Sequence, residues 1–157
     1  SNILKNDFTI DTLVTFDTPN SNGIFSTSGI DFCGILLLQH SSGLMTLVLG
    51  DSSKWLNGQS GEAISNFIFT VGQRYHLALT RENTTYTLYV DGVSIGSLTY
   101  SQAIIDAIYP FGTNFIVGGV LSTQPRFNLN GYLEMFRISS MVKWSGNFTP
   151  PVNPYFL

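Results

Sequence analysis

The sequence predicts an all-β protein, an antiparallel sandwich or barrel, and three observations carry that expectation. Apolar side chains recur at every second position over many short runs, which is the period of a half-buried strand. Clusters such as "TPNSNG", "SSG", "DSSKWLNGQSGE" and "STQPRFNLNG" separate the runs, and their Gly, Ser, Asn and Pro content marks turns. Only one segment has helical spacing. About ten short strands punctuated this way indicate an antiparallel architecture rather than alternating strand and helix units.

In "DFTIDTLVTF", Phe8, Ile10, Val14 and Phe16 share one face while Thr9, Asp11, Leu13 and Thr15 share the other, so 8–16 reads as a strand with one buried side. Further strands are expected at 30–39, 44–49 and 66–70. The run 74–98, "RYHLALTRENTTYTLYVDGVSIGSL", reads as three strands joined by two tight turns. Its first strand sets Tyr75, Leu77 and Leu79 against His76, Ala78 and Thr80, and its second sets Tyr86, Leu88 and Val90 against Thr85, Thr87 and Tyr89. Asp91-Gly92 supplies the positive φ angles of a type I′ turn, which predicts that Val90 pairs with Val93 and Leu88 with Ile95. The one helix is expected at 101–108, capped by Ser101, with Ile104, Ile105 and Ile108 on one side. Strands at 114–120 and 131–139 follow. The end, "FTPPVNPYF", reads as an extended tail laid against the body.

With 157 residues the chain fits one domain, 1–157, of which 145–157 form the Pro-rich exit tail. Hydrophobic residues reach 43% and charged ones only 11%, which argues against disorder. Seven basic residues against ten acidic ones, a net charge of -3, leave no patch able to neutralise several phosphates, so no nucleic-acid partner is expected. The longest apolar run, 35–38, is far shorter than the roughly 20 residues that cross a bilayer, and no membrane insertion is expected. Cys33 is the only cysteine. Its neighbours in "IDFCGILLL" read it as a small buried apolar residue rather than a reactive thiol.

The ordered set "RYHLALTRENTTYTLYVDGVSIGSL", "NFIVGG" and "FNLNGYLEMFRISSMVKWSGNFTPP" resembles the concanavalin A-like, laminin G-like jelly rolls, in particular their bacterial and phage branch. The resemblance is good over 67–151, moderate over 8–16 through "DFTIDTLVTFD", and weak over 23–62. It implies a jelly-roll β-sandwich whose "W...F.PP" exit anchors Trp144 against the body. Where many relatives carry Asn-Gly in the first hairpin turn, this chain has "ENTT", which calls for Asn83 in the left-handed conformation. Only Glu134, followed by Met135, stands where relatives often carry two adjacent acidic residues. The disulfide usual in animal laminin G domains is absent.

A glycoside hydrolase needs two carboxylates flanking the scissile bond, and the Glu-x-Asp-x-x-Glu strand of catalytic relatives does not occur. Glu62 and Glu82 fall in predicted turns and Glu134 in a strand. His40 and His76 stand in no metal-ligand pattern and accompany no Gly-x-Ser-x-Gly elbow, so His76 reads as a hydrogen-bonded structural imidazole. Calcium is a possible cofactor, not a required one, with Asp51, Asp31 and Asp106 as candidate oxygens, although Asp51 also reads as a turn former. The stronger lead is the loop 50–62. Trp55 can stack on a pyranose ring, and Asp51, Asn57 and Gln59 can hydrogen-bond its hydroxyls; the competing reading makes Trp55 a hydrophobic plug.

The expectation is therefore a non-catalytic recognition module of a larger phage structural or bacterial surface protein. It would bind glycan or protein through edge loops, in an extracellular, cell-surface or virion setting, oligomeric through its parent. A structural spacer and a glycoside hydrolase are the alternatives. Two sequons, at Asn83 and Asn147, matter only in a eukaryotic secretory setting.

Overall fold

The computed structural model describes residues 3–28, 31–108, 115–120 and 127–152. Among them lie ten strands: β1 (Phe8–Phe16), β2 (Asn22–Ser26), β3 (Cys33–Gln39), β4 (Met45–Asp51), β5 (Glu62–Ser65), β6 (Arg74–Glu82), β7 (Thr85–Val90), β8 (Val93–Thr99), β9 (Ile116–Val117) and β10 (Gly131–Ser139). Helix α1 (Gln102–Ala107) follows β8. Two five-stranded antiparallel sheets, in the orders β10-β1-β6-β7-β8 and β5-β4-β3-β2-β9, pack face to face as a β-sandwich. Ile30 and Asn114, the first residues of two predicted strands, lie outside the described residues. So do 122–126 of one predicted turn and 153–157 of the tail.

Alternation fixes which faces meet. Phe8, Ile10, Val14 and Phe16 from β1, Tyr75, Leu77 and Leu79 from β6, and Tyr86, Leu88 and Val90 from β7 all point into one core. Ile35 and Leu37 from β3 and Met45, Leu47 and Leu49 from β4 meet them from the other sheet. Each such fully buried side chain contributes about 2 kcal/mol relative to exposure. The four consecutive apolar residues of β3 break the alternation, so Leu36 and Leu38 face outward. A second cluster with Val48 and Val120, packed by Trp55 and Phe127, covers them.

The predicted elements hold in most places. Ser101 caps α1, its side chain accepting from the Ile104 N–H, and Ile105 and Ile108 are buried. Asn83 takes φ 54°, and Asp91 and Gly92 take φ 49° and 80°, the signature of the type I′ turn. Cys33 is buried and free.

Four expectations are corrected. Val90 pairs with Val93, but Leu88 pairs with Gly96 rather than Ile95, across a bulge. The cause is the neighbouring sheet edge: the Ile95 carbonyl accepts the Ser65 hydroxyl at 3.1 Å, and a Cβ on Gly96 would meet the Ile64 carbonyl oxygen at 1.9 Å. Residues 66–70 form no ladder. Their alternation comes instead from Phe67 and Phe69 packing edge-on against each other and Tyr75. Strand β2 occupies what reads as a turn, because buried Asn22 satisfies its amide through Gln39 Oε1 at 2.8 Å and the Thr18 carbonyl at 3.0 Å. Glu62 and Glu82 sit at strand ends rather than in turns.

Candidate functional site

The loop 50–62 begins as a hairpin. Trp55 bridges back to Gly50 in antiparallel fashion, and Asp51 closes the turn between them. Its Oδ1 accepts the Ser53 hydroxyl at 2.7 Å, the Ser53 N–H at 2.8 Å and the Lys54 N–H at 2.9 Å. Those donors, the hydroxyl first, hold its carboxyl below the usual range. Asn57 turns inward. Its Oδ1 accepts the Leu49 N–H at 3.0 Å, and its Nδ2 donates to the Leu47 carbonyl at 2.9 Å and to the Tyr100 hydroxyl at 3.0 Å. The Tyr100 hydroxyl in turn donates to Glu62 Oε2 at 3.0 Å, and burial above all pushes its pKa upward.

Trp55, half-buried, lies over the outer cluster formed by Leu36, Leu38 and Val48. Gln59 is exposed at the loop tip. Of the four predicted ligand-binding residues, Asp51 and Asn57 are thus tied into the loop's own structure, while Trp55 and Gln59 present surface.

One residue that the sequence reading missed completes the site. Phe32 is 41% exposed, and its ring centroid lies 5.2 Å from that of Trp55 at an interplanar angle of 52°. Its φ is 63°, a left-handed conformation that bulky side chains rarely adopt. The backbone holds it there. The Phe32 carbonyl accepts the Ser52 N–H at 2.7 Å and lies where a Cβ on Gly50 would meet it at 2.1 Å, so only glycine permits the approach. The result is a two-ring shelf flanked by exposed Asp31, Ser52, Ser53 and Lys54. In sequence, "IDFCG" reads as strand interior, and nothing local betrays the turn.

The remaining candidates lie apart from the shelf or serve the fold. Asp106, on α1, accepts from Gln102 Nε2 at 2.8 Å. Among the described residues no group of three or more His, Cys, Asp and Glu is arranged to hold a metal ion. His40 contacts the Ser41 hydroxyl at 3.1 Å and lies near the Phe127 ring. Glu134 lies 3.6 Å from Arg74 on an exposed face.

His76 sits on the outer face of the first sheet, where its Nε2 lies 3.0 Å from Asp11 Oδ2. Arg137 grips the same carboxylate through Nε and Nη2. Burial, the largest influence on Asp11, raises its pKa, yet the hydrogen bonds from His76 and Arg137 and the charge of Arg137 together leave it below the ordinary 3.8. The exit tail covers this triad. Trp144 and Phe148 stack on each other at 3.9 Å and both meet the His76 ring edge to face. The Phe148 N–H reaches the Gly92 carbonyl at 2.8 Å. His76 is thus the hydrogen-bonded structural imidazole, and Trp144 the tail anchor, that the sequence implies.

A family model of the concanavalin A-like lectin/glucanases superfamily matches residues 1–143. The chain belongs to that superfamily. Solved structures share the concanavalin A-like sandwich at low identity. A candidate carbohydrate-binding protein from Bacteroides ovatus matches with TM-score 0.62 and 17% identity, over 88% of this chain and 38% of that one. Domain 4 of AbnA, an extracellular GH43 arabinanase from Geobacillus stearothermophilus in complex with arabinotriose, matches with TM-score 0.59 and 21% identity, over 85% and 60%. The NanB sialidase from Streptococcus pneumoniae matches with TM-score 0.63 and 18% identity, over 89% and 23%. The chain thus spans less than two thirds of each of these proteins. No curated protein matches it in sequence. Membership of this superfamily gives the scaffold, and a scaffold alone does not set the function. No helix among the described residues is long and apolar enough to cross a membrane.

Proposed function

We propose that this concanavalin A-like domain is a non-catalytic glycan-recognition module of a larger surface or virion protein, with the Phe32–Trp55 shelf as its sugar platform. One observation carries the reading: an aromatic residue is held in a left-handed backbone, half exposed, beside a second ring. A pyranose lying across the two rings would gain its apolar contact there. Gln59, Lys54 and the serine hydroxyls of the Asp51 turn stand within the same loop to meet its hydroxyls. The carbohydrate-binding neighbours, among them the arabinanase domain in complex with arabinotriose, support this choice of ligand class. Affinity per site would be modest and raised by several copies on one parent assembly.

A glycan screen with and without calcium, comparing the wild-type chain with Trp55→Ala, tests the proposal. Binding of at least one glycan is expected, weakened about tenfold or more by the substitution, the equivalent of roughly 1.4 kcal/mol. A wild-type chain that binds nothing under either condition leaves the spacer reading, which the inward-turned Asn57 and the covering position of Trp55 favour.

A further inference from the structure

Arg81 stands on the core face of β6, opposite Phe8 and Tyr86 in the ladders, and is only 4% exposed. A guanidinium in such a position ordinarily has a carboxylate beside it, because an uncompensated buried charge is costly. Here Nη2 donates to the Lys5 carbonyl, Nη1 reaches the Leu4 carbonyl at 3.5 Å, and the group lies 5.7 Å from the Phe8 ring centroid. Nε has no hydrogen-bond partner, and the buried Tyr86 hydroxyl lies beside the guanidinium. Among the described residues no carboxylate lies within ion-pair distance of Arg81.

Arg81 also lines an opening in the surface. A recess of about 140 Å³ between Leu4, Ile105 and Ile108 shares Arg81, Lys5 and Asp106 with a wider cleft of about 430 Å³, whose rim carries Asn83, Gln102 and Ser140. The cleft also holds two carboxylates. Asp7 accepts the Asn83 N–H at 2.7 Å, and Asp106 accepts from Gln102. These neutral donors leave both carboxylates charged, but among the described residues neither lies within ion-pair distance of Lys5 or Arg81.

We propose that this cleft is a second binding site, for a carboxylated sugar such as a hexuronate. The ligand carboxylate supplies the ion-pair partner that Arg81 lacks, with the Lys5 ammonium at the rim. The amides and hydroxyl of the rim meet the sugar hydroxyls. The nearby Asp7 and Asp106 disfavour a dianion such as phosphate relative to a singly charged carboxylate. The cleft shares no residue with the Phe32–Trp55 shelf.

Nitrogen-15 NMR titration of the whole chain with D-glucuronate and, separately, with D-glucose tests the assignment. Glucuronate is expected to shift the Arg81 Nε–H and the Gln102 side-chain amide saturably, with a millimolar Kd, and to leave the Trp55 indole N–H unmoved. Glucose is expected to leave all three in place. Lys5→Glu, which reverses the rim charge but keeps the Lys5 carbonyl on Arg81, should weaken glucuronate about fivefold or more, with circular dichroism confirming its fold. Absence of a saturable Arg81 shift overturns the proposal, as does an equal response to glucose or wild-type affinity in Lys5→Glu.

Discussion

Asn57 sits in a surface loop and yet works as an extension of the sheet. Its amide answers both the Leu49 N–H and the Leu47 carbonyl of β4 and passes a further hydrogen bond to Tyr100. Asn57→Ala should therefore cost about 2 kcal/mol in urea denaturation, because it removes the side-chain partner of the Leu49 N–H and of the Leu47 carbonyl. A midpoint unchanged from wild type would contradict that role. The sequence shows that this loop gathers an aromatic ring with amides and a carboxylate, which is the composition of a sugar-binding surface. It does not show which of them turn inward, since that depends on where β4 leaves unpaired groups. Phe32 is illegible for a related reason: its carbonyl bonds the Ser52 N–H and packs against Gly50 of β4, partners far from it in sequence.

At the level of strands and tails, alternation made most of the sandwich legible. Phe8 to Phe16 and the two strands after Arg74 present the predicted faces, and the Asp91-Gly92 turn sets Val90 against Val93. Failures occurred where one sheet leans on the other. The Ile95 bulge answers to Ser65 across the sandwich edge, and residues 66–70 owe their pattern to ring packing rather than to a ladder. The exit tail depends on a polar anchor, Arg137–Asp11–His76, that no local pattern reveals. Asp11→Asn should cost about 3 kcal/mol at neutral pH, because it leaves the Arg137 guanidinium without its counter-ion. The sign of the pH dependence follows from the depressed Asp11 pKa. Such a carboxylate stabilises the fold fully above its unfolded value, about 4, and the contribution fades as pH falls through the lower folded value. Denaturation of both proteins from pH 7 downward should therefore show their stability difference shrinking only below about pH 4. A difference that stays constant into that range would contradict the triad's role.

The two sheets of this superfamily member are occupied with one another, and the faces proposed for recognition are edge features: the Phe32–Trp55 shelf and the cleft at Arg81. If the shelf binds glycan as proposed, Phe32 is kept in its left-handed conformation for binding rather than for folding. A bulky residue there costs roughly 1–2 kcal/mol of backbone strain, which glycine does not incur. Phe32→Gly also loses the ring contact with Trp55, so the two effects should nearly offset. The decisive measurement is the glycan screen on Phe32→Gly alongside its thermal melt. The expected result is a Tm close to that of the wild type together with loss of the glycan binding seen for the wild-type chain. Retained binding, or a collapse of Tm that makes Phe32 a folding residue, would contradict it.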